Sequence, residues 1–175
     1  MNRVLVIGCS GAGKSVFSQR LAARTGLPLV HLDQEFWRPG WMPLAPDAWR
    51  QRVAALADEP RWIMDGQYGG TLSLRLEHAD TVFVFDMPRW LCMTRVLRRT
   101  VRHFGRTRSD MAPGCVERFD WEFLKYIWNY KHNQRPRHLA TLEGFAGTVI
   151  MLRRPADVET YLAQFEHIAA TPSAS

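Results

Sequence analysis

Cysteine is scarce in this sequence, and long apolar runs are absent. The three cysteines, Cys9, Cys92 and Cys115, have neither the paired spacing of a metal site nor the density of a disulfide-stabilised secreted domain. No apolar run approaches the roughly 20 residues that a membrane-spanning helix requires, and the N-terminus lacks the pattern of a signal peptide. There is no internal repeat. These absences predict a cytoplasmic protein with no membrane partner and no disulfide framework.

What remains is the composition of a globular protein with excess positive charge. The chain has 175 residues, of which 46% are hydrophobic, and its formal net charge is +6. This length fits one domain with a sizeable core, which we expect over residues 1–170, followed by a flexible polar tail at residues 171–175. The charge favours a polyanionic partner, and nucleotides, phosphorylated metabolites and nucleic acids all qualify.

A glycine-rich motif near the N-terminus predicts the binding of a nucleoside triphosphate. Gly8, Gly13, Lys14 and Ser15 fit the P-loop pattern G-x-x-x-x-G-K-[ST], and Gly11 adds a glycine within it. Glycines let backbone N–H groups turn towards a polyphosphate, the lysine adds positive charge at the β- and γ-phosphates, and the serine hydroxyl can bind Mg²⁺. The predicted nucleotide-binding segment is Gly8, Cys9, Ser10, Gly11, Ala12, Gly13, Lys14, Ser15 and Val16.

The chain alternates short apolar runs with helical patterns. Strands are predicted at residues 4–7, 29–32, 62–64, 81–85 and 148–152. After the helix that follows the P-loop, further helices are predicted at residues 46–58, 88–103, 117–142 and 155–169. This alternation predicts an α/β fold of three layers, α/β/α, with a five-stranded parallel sheet. Asp33, Asp65 and Asp86 fall at the carboxyl ends of strands, where such sheets bind ligands, so we expect them near the phosphates.

Arginines cluster after the fourth strand. Residues 95–108 contain six arginines, and Arg95 and Arg99 share one face of the predicted helix because they are four positions apart. Phosphoryl transfer depends on placing the reactants and on positive charge around the transferred group, so arginines beside a P-loop are catalytic candidates. The alternative is a solvated basic helix face. Turn-forming and charged residues then predict a mobile lid at about residues 104–116.

Several aromatic residues and one histidine have two possible roles. Trp37 follows Asp33 closely, and it could stack on a planar acceptor or only cap the core. We expect His31 to be a buried, hydrogen-bonded histidine rather than a catalytic one. Trp121 and Trp128 are seven positions apart in an apolar helical pattern, which predicts that both lie in the core.

Together these motifs resemble the nucleoside-monophosphate kinase branch of the P-loop proteins, which includes adenylate and shikimate kinases. The resemblance rests on the P-loop, on Asp65-Gly66 after the third strand, and on "FDMPRWLCMTRVLRR" after the fourth. A closer likeness, in "HLDQEFWRPGW", "WIMDGQY" and "RLEHADTVFVFDMPRW", is to the bacterial DNA topology modulation proteins, which are related to adenylate kinase. These resemblances imply a P-loop kinase fold with a short helical lid, and ATP and Mg²⁺ as cofactors.

The resemblance also implies roles for six residues, five of them catalytic and one, Ser15, a metal ligand. Lys14 corresponds to the phosphate-binding lysine, and Ser15 to the Mg²⁺ ligand. Asp33 and Asp65 correspond to carboxylates near the acceptor or the metal-bound water. The other two are Arg95 and Arg99, which correspond to arginines that approach the nucleotide and the transferred phosphoryl group.

Contacts with substrates are implied at both ends of the site. Arg75 lies where the family has an arginine on the acceptor side, so the candidate acceptor-binding residues are Asp33, Trp37 and Arg75. Residues 152–162, among them Arg154, lie where these kinases surround the adenine. The sequence departs from the adenylate kinases after Asp65-Gly66, where Gln67-Tyr68-Gly69-Gly70 replaces Phe-Pro-Arg. The acceptor is therefore left open.

Three functions follow from these residues. The first is a kinase that transfers the γ-phosphate of ATP to a small-molecule or nucleotide acceptor beneath a closing lid. The second is a nucleic-acid-associated ATPase, which the basic charge favours but no nucleic-acid-binding motif supports. The third is a nucleotide-operated switch, although the guanine motif N-K-x-D of familiar GTPases is absent. We favour the kinase.

Overall fold

The structure, a computed structural model, describes residues 1–169, with side chains to residue 165. The tail predicted at residues 171–175 lies outside the described residues. The strands are β1 (Arg3–Gly8), β2 (Leu29–His31), β3 (Trp37–Arg38), β4 (Met42–Pro43), β5 (Trp62–Asp65), β6 (Thr81–Phe85) and β7 (Thr148–Leu152). The helices are α1 (Lys14–Thr25), α2 (Leu32–Phe36), α3 (Pro46–Asp58), α4 (Leu72–His78), α5 (Arg89–His103), α6 (Trp121–Asn133), α7 (Arg135–Leu142) and α8 (Pro155–Ala169). None of these helices is long and apolar enough to cross a lipid bilayer.

Five of the strands form one parallel sheet in the order β2-β5-β1-β6-β7. β1 lies in the middle, where Leu5 pairs with Met64 of β5 on one side and with Val82 of β6 on the other. Every residue of β5 and β6 is buried, because helices cover both faces of a parallel sheet and its strands are therefore apolar throughout. The predicted three-layer fold with a five-stranded parallel sheet is confirmed.

Each face of the sheet has its own hydrophobic core. On one face, Phe17 of α1 packs with Ile127 of α6 and Leu162 of α8. On the other face, Trp49 of α3 packs with Leu72 of α4. Fully burying a side chain of this size contributes about 1.5–3 kcal/mol, so the two cores hold the helices against the sheet and fix the positions of the strand ends.

The helix predicted at residues 117–142 is two helices, and it begins later than predicted. Asp120 caps the start of α6, because its side chain accepts a hydrogen bond from the backbone N–H of Phe123 at 3.0 Å. Pro136 lies in the first turn of α7, where its missing N–H is tolerated, but its ring prevents α6 from continuing without a break. The prediction that Trp121 and Trp128 are core residues is wrong: they are 61% and 47% exposed.

Residues 104–116, where the lid is predicted, connect α5 to α6 and contain no helix. They consist of turns and one isolated antiparallel bridge between Thr107 and Val116. Gly105 and Gly114 have φ values of 70° and 80°, a backbone region that glycine enters readily and that a right-handed helix does not contain. These turns explain why the expected helical lid does not form.

Candidate active site

A cavity of about 920 Å³ opens at the carboxyl ends of β1, β2 and β5, which is where parallel sheets of this kind bind ligands. One part is formed by residues 10–17, Arg20 and Arg95, and we call it the P-loop half. The other part is formed by residues after β2 and β5 and by the lid, and we call it the lid half. The lid half consists of Asp33, Trp37, Trp41, Tyr68, Arg108, Asp110 and Met111.

Glycines give the P-loop its shape. Gly8, Gly11 and Gly13 have φ values of 140°, 79° and 102°, which residues with a side chain adopt rarely. A Cβ atom added to Gly8 would lie 2.5 Å from the carbonyl oxygen of Phe85 in the neighbouring strand. α1 begins directly after the loop, so its free N–H groups and the positive end of its dipole face the cavity. This arrangement suits an anion.

The predicted nucleotide-binding segment has an exposed part and a part beneath it. Residues 10–16 line the cavity, whereas Gly8 and Cys9 are buried below them. The backbone N–H of Gly8 donates a hydrogen bond to Oε1 of Gln67 at 2.6 Å. Lys14 bends over the loop, and its Nζ donates to the carbonyl oxygen of Cys9 at 3.0 Å. The phosphate-binding groups on offer are therefore the backbone of residues 10–16 and the ammonium of Lys14.

Asp65 and Ser15 fit a magnesium ion bound together with phosphates. Asp65 is 5% exposed at the end of β5, and its Oδ1 has no hydrogen-bond partner among the described residues. A buried carboxylate oxygen without a protein partner fits a metal-bound water, and the Ser15 hydroxyl lines the same cavity. Among the described residues there is no group of three or more potential His, Cys, Asp or Glu ligands. Mg²⁺ does not need one, because phosphates and water fill most of its coordination sphere.

Two carboxylates at the ends of β2 and β5 have side-chain partners, one a histidine and the other a tyrosine. Nδ1 of His31 lies 3.1 Å from Oδ2 of Asp65, and this hydrogen bond raises the pKa of His31. His31 is thus a hydrogen-bonded, largely buried histidine, as predicted. Asp33 accepts a hydrogen bond from the Tyr68 hydroxyl at 2.6 Å. Burial raises the pKa of Asp33, although the Tyr68 hydrogen bond and the charge of Lys14 oppose the rise.

Asp86 does not join the other two carboxylates. It receives two hydrogen bonds from the guanidinium of Arg135, at 2.7 and 2.8 Å, and it does not line the cavity. The prediction that Asp86 lies near the phosphates is therefore wrong. The reason is that the start of α7 brings a bidentate partner to the end of β6, and a paired carboxylate of this kind ties two elements together.

The arginines of residues 95–108 point in different directions. Arg95 lines the P-loop half and donates a hydrogen bond to the carbonyl oxygen of Ala12 at 3.1 Å. Arg99 and Arg108 line the cavity on either side of Glu117, at 3.7 and 3.0 Å from its two carboxylate oxygens. Burial lowers the pKa of Arg99. The remaining three are exposed: Arg98, Arg102 and Arg106.

Trp37 lines the cavity and is also part of the contact between the lid and the β3–β4 hairpin. Its ring lies edge-on to that of Trp41, with centroids 5.5 Å apart and planes at 73°. Both tryptophans pack against the buried lid residues Met111, Ala112 and Cys115. Both roles that the sequence left open for Trp37 are thus compatible with its position, because one edge is packed while part of the ring faces the cavity.

Hydrogen bonds reinforce this contact and hold the lid down. Nε1 of Trp41 donates to the carbonyl oxygen of Val116 at 2.9 Å, and the N–H of Gly40 donates to that of Gly114 at 3.1 Å. The side chain of Gln34 donates to the carbonyl oxygen of Ser109 at 2.6 Å. Residues 109–116 are therefore held against Gln34 and the β3–β4 hairpin.

Arg75 and Arg154 lie away from the cavity surface. Arg75 is fully buried, and its guanidinium donates hydrogen bonds to the carbonyl oxygens of Gly66, Gln67 and Tyr68 at 2.9–3.2 Å. It acts on the site only through the loop that it holds. Arg154 is exposed and bonds to Asp157 at 3.0 Å. The residues of α8 that line the cavity are Pro155, Val158 and Glu159.

Sequence reasoning missed several residues of the site, among them Gln67, Glu117 and His138. Gln67 and the ring of His138 both bond to the hydroxyl of Tyr130, at 3.2 and 3.3 Å, which connects α6 and α7 to the P-loop. Glu117 could have been found, since it is the first glutamate after a long arginine-rich segment. His138 carries no sequence signal, because only the fold brings α7 to the loop after β5.

Several solved structures of kinases are similar to this one. The shikimate kinase from Acinetobacter baumannii in complex with shikimate aligns with a TM-score of 0.58 and 17% identity, over 97% of this chain and 94% of that one. A gluconokinase from Sinorhizobium meliloti 1021 has a TM-score of 0.54 and 18% identity, over 96% and 93%. A sugar kinase from Janibacter sp. HTCC2649 has a TM-score of 0.51 and 21% identity, over 98% and 99%. The chain matches no protein-family model and no curated protein.

The sheet order, the P-loop between β1 and α1, and these alignments show that the chain has the P-loop kinase fold. At identities of 17–21% the likeness shows the fold alone. The comparisons give no support to the resemblance to the DNA topology modulation proteins.

Proposed function

We propose that this protein is a kinase that transfers the γ-phosphate of ATP to a hydroxyl group of a small molecule. The observation that carries the proposal is the content of one cavity: a P-loop in one half and, in the other, the carboxylate of Asp33 with a raised pKa. A P-loop binds a polyphosphate, and a carboxylate in the same cavity supplies a base for the acceptor.

The P-loop half supplies the contacts for ATP. The backbone N–H groups of residues 10–16, the ammonium of Lys14 and the guanidinium of Arg95 would hold the phosphates. Pro155 and Val158 offer an apolar surface for the base at the start of α8. Ser15 would bind Mg²⁺ directly and Asp65 through water, and the ion when bound would offset the negative charge of the β- and γ-phosphates.

The lid half would bind the acceptor and supply the base. As the acceptor oxygen forms its bond to the γ-phosphorus, the hydroxyl proton passes to Asp33, and the bond from phosphorus to the β–γ bridging oxygen breaks to release ADP. Lys14, Arg95 and Arg99 stabilise the charge on the transferred group. A closed lid excludes water, which otherwise competes with the acceptor.

The directions of the arginines favour the kinase over an ATPase bound to nucleic acid. Arg95, Arg99 and Arg108 all line the cavity, where Arg99 and Arg108 lie 3.7 and 3.0 Å from the carboxylate of Glu117. A nucleic-acid footprint requires cations that are free to meet a phosphate backbone. Three of the six arginines of residues 95–108 therefore line the cavity and do not belong to the outer basic surface.

The test is transfer of label from γ-labelled ATP to a panel of small hydroxyl compounds in the presence of Mg²⁺. We expect a labelled product with the wild-type protein and a loss of about 10²–10³-fold in Lys14→Ala, because a preorganised charge is removed from the transferred group. Lys131→Ala is the matched control, since Lys131 is exposed on α6. Release of ADP at one rate with and without acceptors, or wild-type transfer by Lys14→Ala, would refute the kinase.

A further inference from the structure

We propose that the outer side of α5 docks on a lipid surface that carries anionic headgroups. This inference concerns a part of the molecule away from the cavity, and it does not depend on the kinase function proposed above. It rests on an exposed apolar stripe along the helix, on the arginines that accompany the stripe, and on the acidic residues that this helix lacks.

The stripe runs along the whole length of α5. It consists of four large apolar side chains, Trp90, Leu97, Val101 and Phe104, which are 63%, 38%, 81% and 65% exposed. Spacings of seven, four and three residues place them on one side of a helix. The core-facing side is a different one, formed by Cys92, Val96 and Thr100. α5 therefore has a second apolar side that nothing in the described structure covers.

α6 adds exposed aromatic rings to this surface. The guanidinium of Arg89 lies 4.4 Å from the ring centroid of Trp128, and the hydroxyl of Thr100 donates to Glu117, just before α6, at 2.9 Å. α6 therefore runs back along α5 in the opposite direction. Both Trp121 and Trp128 of α6 are exposed. Tryptophan is favoured where an apolar phase meets water, because its ring is apolar and its N–H is polar.

The charge of the outer side of α5 is of one sign. Four exposed arginines accompany the stripe: Arg89, Arg98, Arg102 and Arg106. α5 contains no aspartate or glutamate, and the first acidic residue after Asp86 in the sequence is Asp110. Arginine can lay its apolar stem along a stripe of this kind while its guanidinium reaches outwards. The complementary partner is therefore apolar within and anionic at its surface.

Three kinds of partner could cover such a stripe, and its chemistry favours a lipid surface. A second copy bound through the same side would place arginines against arginines, because a twofold interface uses one patch twice. A nucleic acid would attract the arginines, but Leu97 and Val101 in the middle of the stripe offer no flat ring for a base to stack on. On a membrane, apolar side chains enter the boundary between headgroups and acyl chains, and arginines bind the anionic headgroups.

Docking through the stripe would leave the cavity accessible. Arg95 and Arg99 lie two positions before and after Leu97, so they point to the opposite side of the helix, where both line the cavity. No helix of the described residues is long and apolar enough to cross a bilayer, but a helix that lies on a membrane does not need to be. The proposal thus departs from the expectation, drawn from the lack of long apolar runs, that the protein has no membrane partner.

Vesicle flotation measures the proposed binding. We compare vesicles of phosphatidylcholine alone with vesicles of equal parts phosphatidylcholine and phosphatidylglycerol. We expect the wild type to bind the mixed vesicles at least about tenfold more tightly, because each arginine near an anionic surface contributes about fivefold in affinity. Lipids with bromine on the acyl chains should quench the tryptophan fluorescence, since quenching requires rings that enter the boundary and not adsorption by charge alone.

Val101→Glu tests the stripe at its most exposed member. It removes an apolar side chain and adds a carboxylate, so the affinity for the mixed vesicles should fall by about tenfold or more. Met42→Glu is the matched control: Met42 is 65% exposed on the β3–β4 hairpin, and its replacement changes the net charge equally. Its Kd should stay within about twofold of the wild-type value. Val101→Ser adds no charge and should weaken binding by about threefold or more.

Several results would overturn the inference: no binding to the mixed vesicles, equal binding to both kinds of vesicle, no quenching by brominated lipid, or a wild-type Kd in Val101→Glu. Light scattering and titration with a single-stranded oligonucleotide test the other partners. A dimer that Val101→Glu converts to a monomer, or oligonucleotide binding that Val101→Glu abolishes, would overturn the inference if vesicles are not bound. ATP binding should be the same in the wild type and in Val101→Glu, so failure of the proposed kinase activity leaves this test unaffected.

Discussion

The two halves of the cavity are built by different physical means. The P-loop half is backbone, held at positive φ values between the buried strand β1 and the helix α1. The lid half is made of side chains between a turn-rich lid and a hairpin of two-residue strands, and only three lid residues, Met111, Ala112 and Cys115, are buried in that contact. The first half cannot change without disturbing the core, whereas the second can open locally at a small free-energy cost.

This difference matches the two tasks of a kinase. The polyphosphate is the same in every nucleoside triphosphate, so a rigid backbone loop can bind it. The acceptor must enter, be enclosed and leave as a product, which requires a cover that opens on each cycle. The predictions below test whether the halves really differ in this way, from the largest expected effect to the smallest.

The largest effect should come from the arginine that joins α5 to the P-loop. Arg95→Ala should lower kcat by about 10³-fold, the lower range for arginines that stabilise a transferred phosphoryl group. Arg98→Ala is the control on the same helix, since Arg98 is exposed, and it should change kcat by less than about twofold. Equal losses in both variants would mean that the cluster acts through its overall field, and the P-loop half would not be distinct from the surface around it.

Asp33 should affect rate rather than nucleotide affinity. Asp33→Asn should lower kcat by about 10²-fold, because the base for the acceptor is lost, while the Kd of ATP stays close to that of the wild type. Tyr68→Phe removes only the hydrogen bond to Asp33 and should have a smaller effect on the rate. If Asp33→Asn weakens ATP binding as much as it slows transfer, Asp33 serves the P-loop half and our division of the cavity is wrong.

The same division explains which features the sequence could predict. The P-loop, the strands and the positions of Asp33 and Asp65 follow from local patterns: a glycine motif, β-branched runs and residues at strand ends. Asp86 has the same local pattern as Asp65, yet it pairs with Arg135. These two residues are far apart in sequence, so the periodicity of apolar residues gives no sign of their contact. Trp121 and Trp128 show a similar limit, because a seven-residue spacing defines a helix face without saying which face is buried.

Arg75 shows why the acceptor could not be predicted from resemblance. Its position in the sequence agrees with an acceptor arginine, but the direction of its side chain depends on the loop after β5. There Gly66 has a φ value of 152° and Tyr68 one of 26°, and three successive carbonyl oxygens turn towards the guanidinium. The lid likewise depends on its contacts with the hairpin, which pair residues about 75 positions apart.

Loosening the lid should change the lid half and leave the P-loop half unaffected. Trp41→Phe removes the hydrogen bond to Val116, which contributes about 1 kcal/mol, so the open lid should become about fivefold more populated. Hydrogen exchange should be faster for amides of residues 108–116 and unchanged for those of β1. Trp90→Phe, at a position that is 63% exposed, is the control. Faster exchange in both regions would show that the two halves open together.

The smallest effect concerns His138, which lies against the loop after β5 and bonds to Tyr130. Burial, together with the positive charge of Arg75, lowers the pKa of His138 below its usual value. Above about pH 6.5 the histidine is neutral in both the folded and the unfolded protein. Below that pH the unfolded chain binds a proton that the folded protein does not, so the free energy of unfolding falls on acidification until the lower, folded-state pKa is reached.

His138→Gln should remove this part of the pH dependence. Urea unfolding at pH 7 and pH 5 should therefore show a smaller loss of stability in His138→Gln than in the wild type, by about 1.4 kcal/mol for each unit by which the pKa is lowered. His132→Gln, exposed on α6, should lose as much stability as the wild type. If His138→Gln does so too, folding leaves the pKa of His138 unchanged. The bond between α7 and Tyr130, and the support that it gives to Gln67 and the P-loop, would then not depend on the charge of this ring.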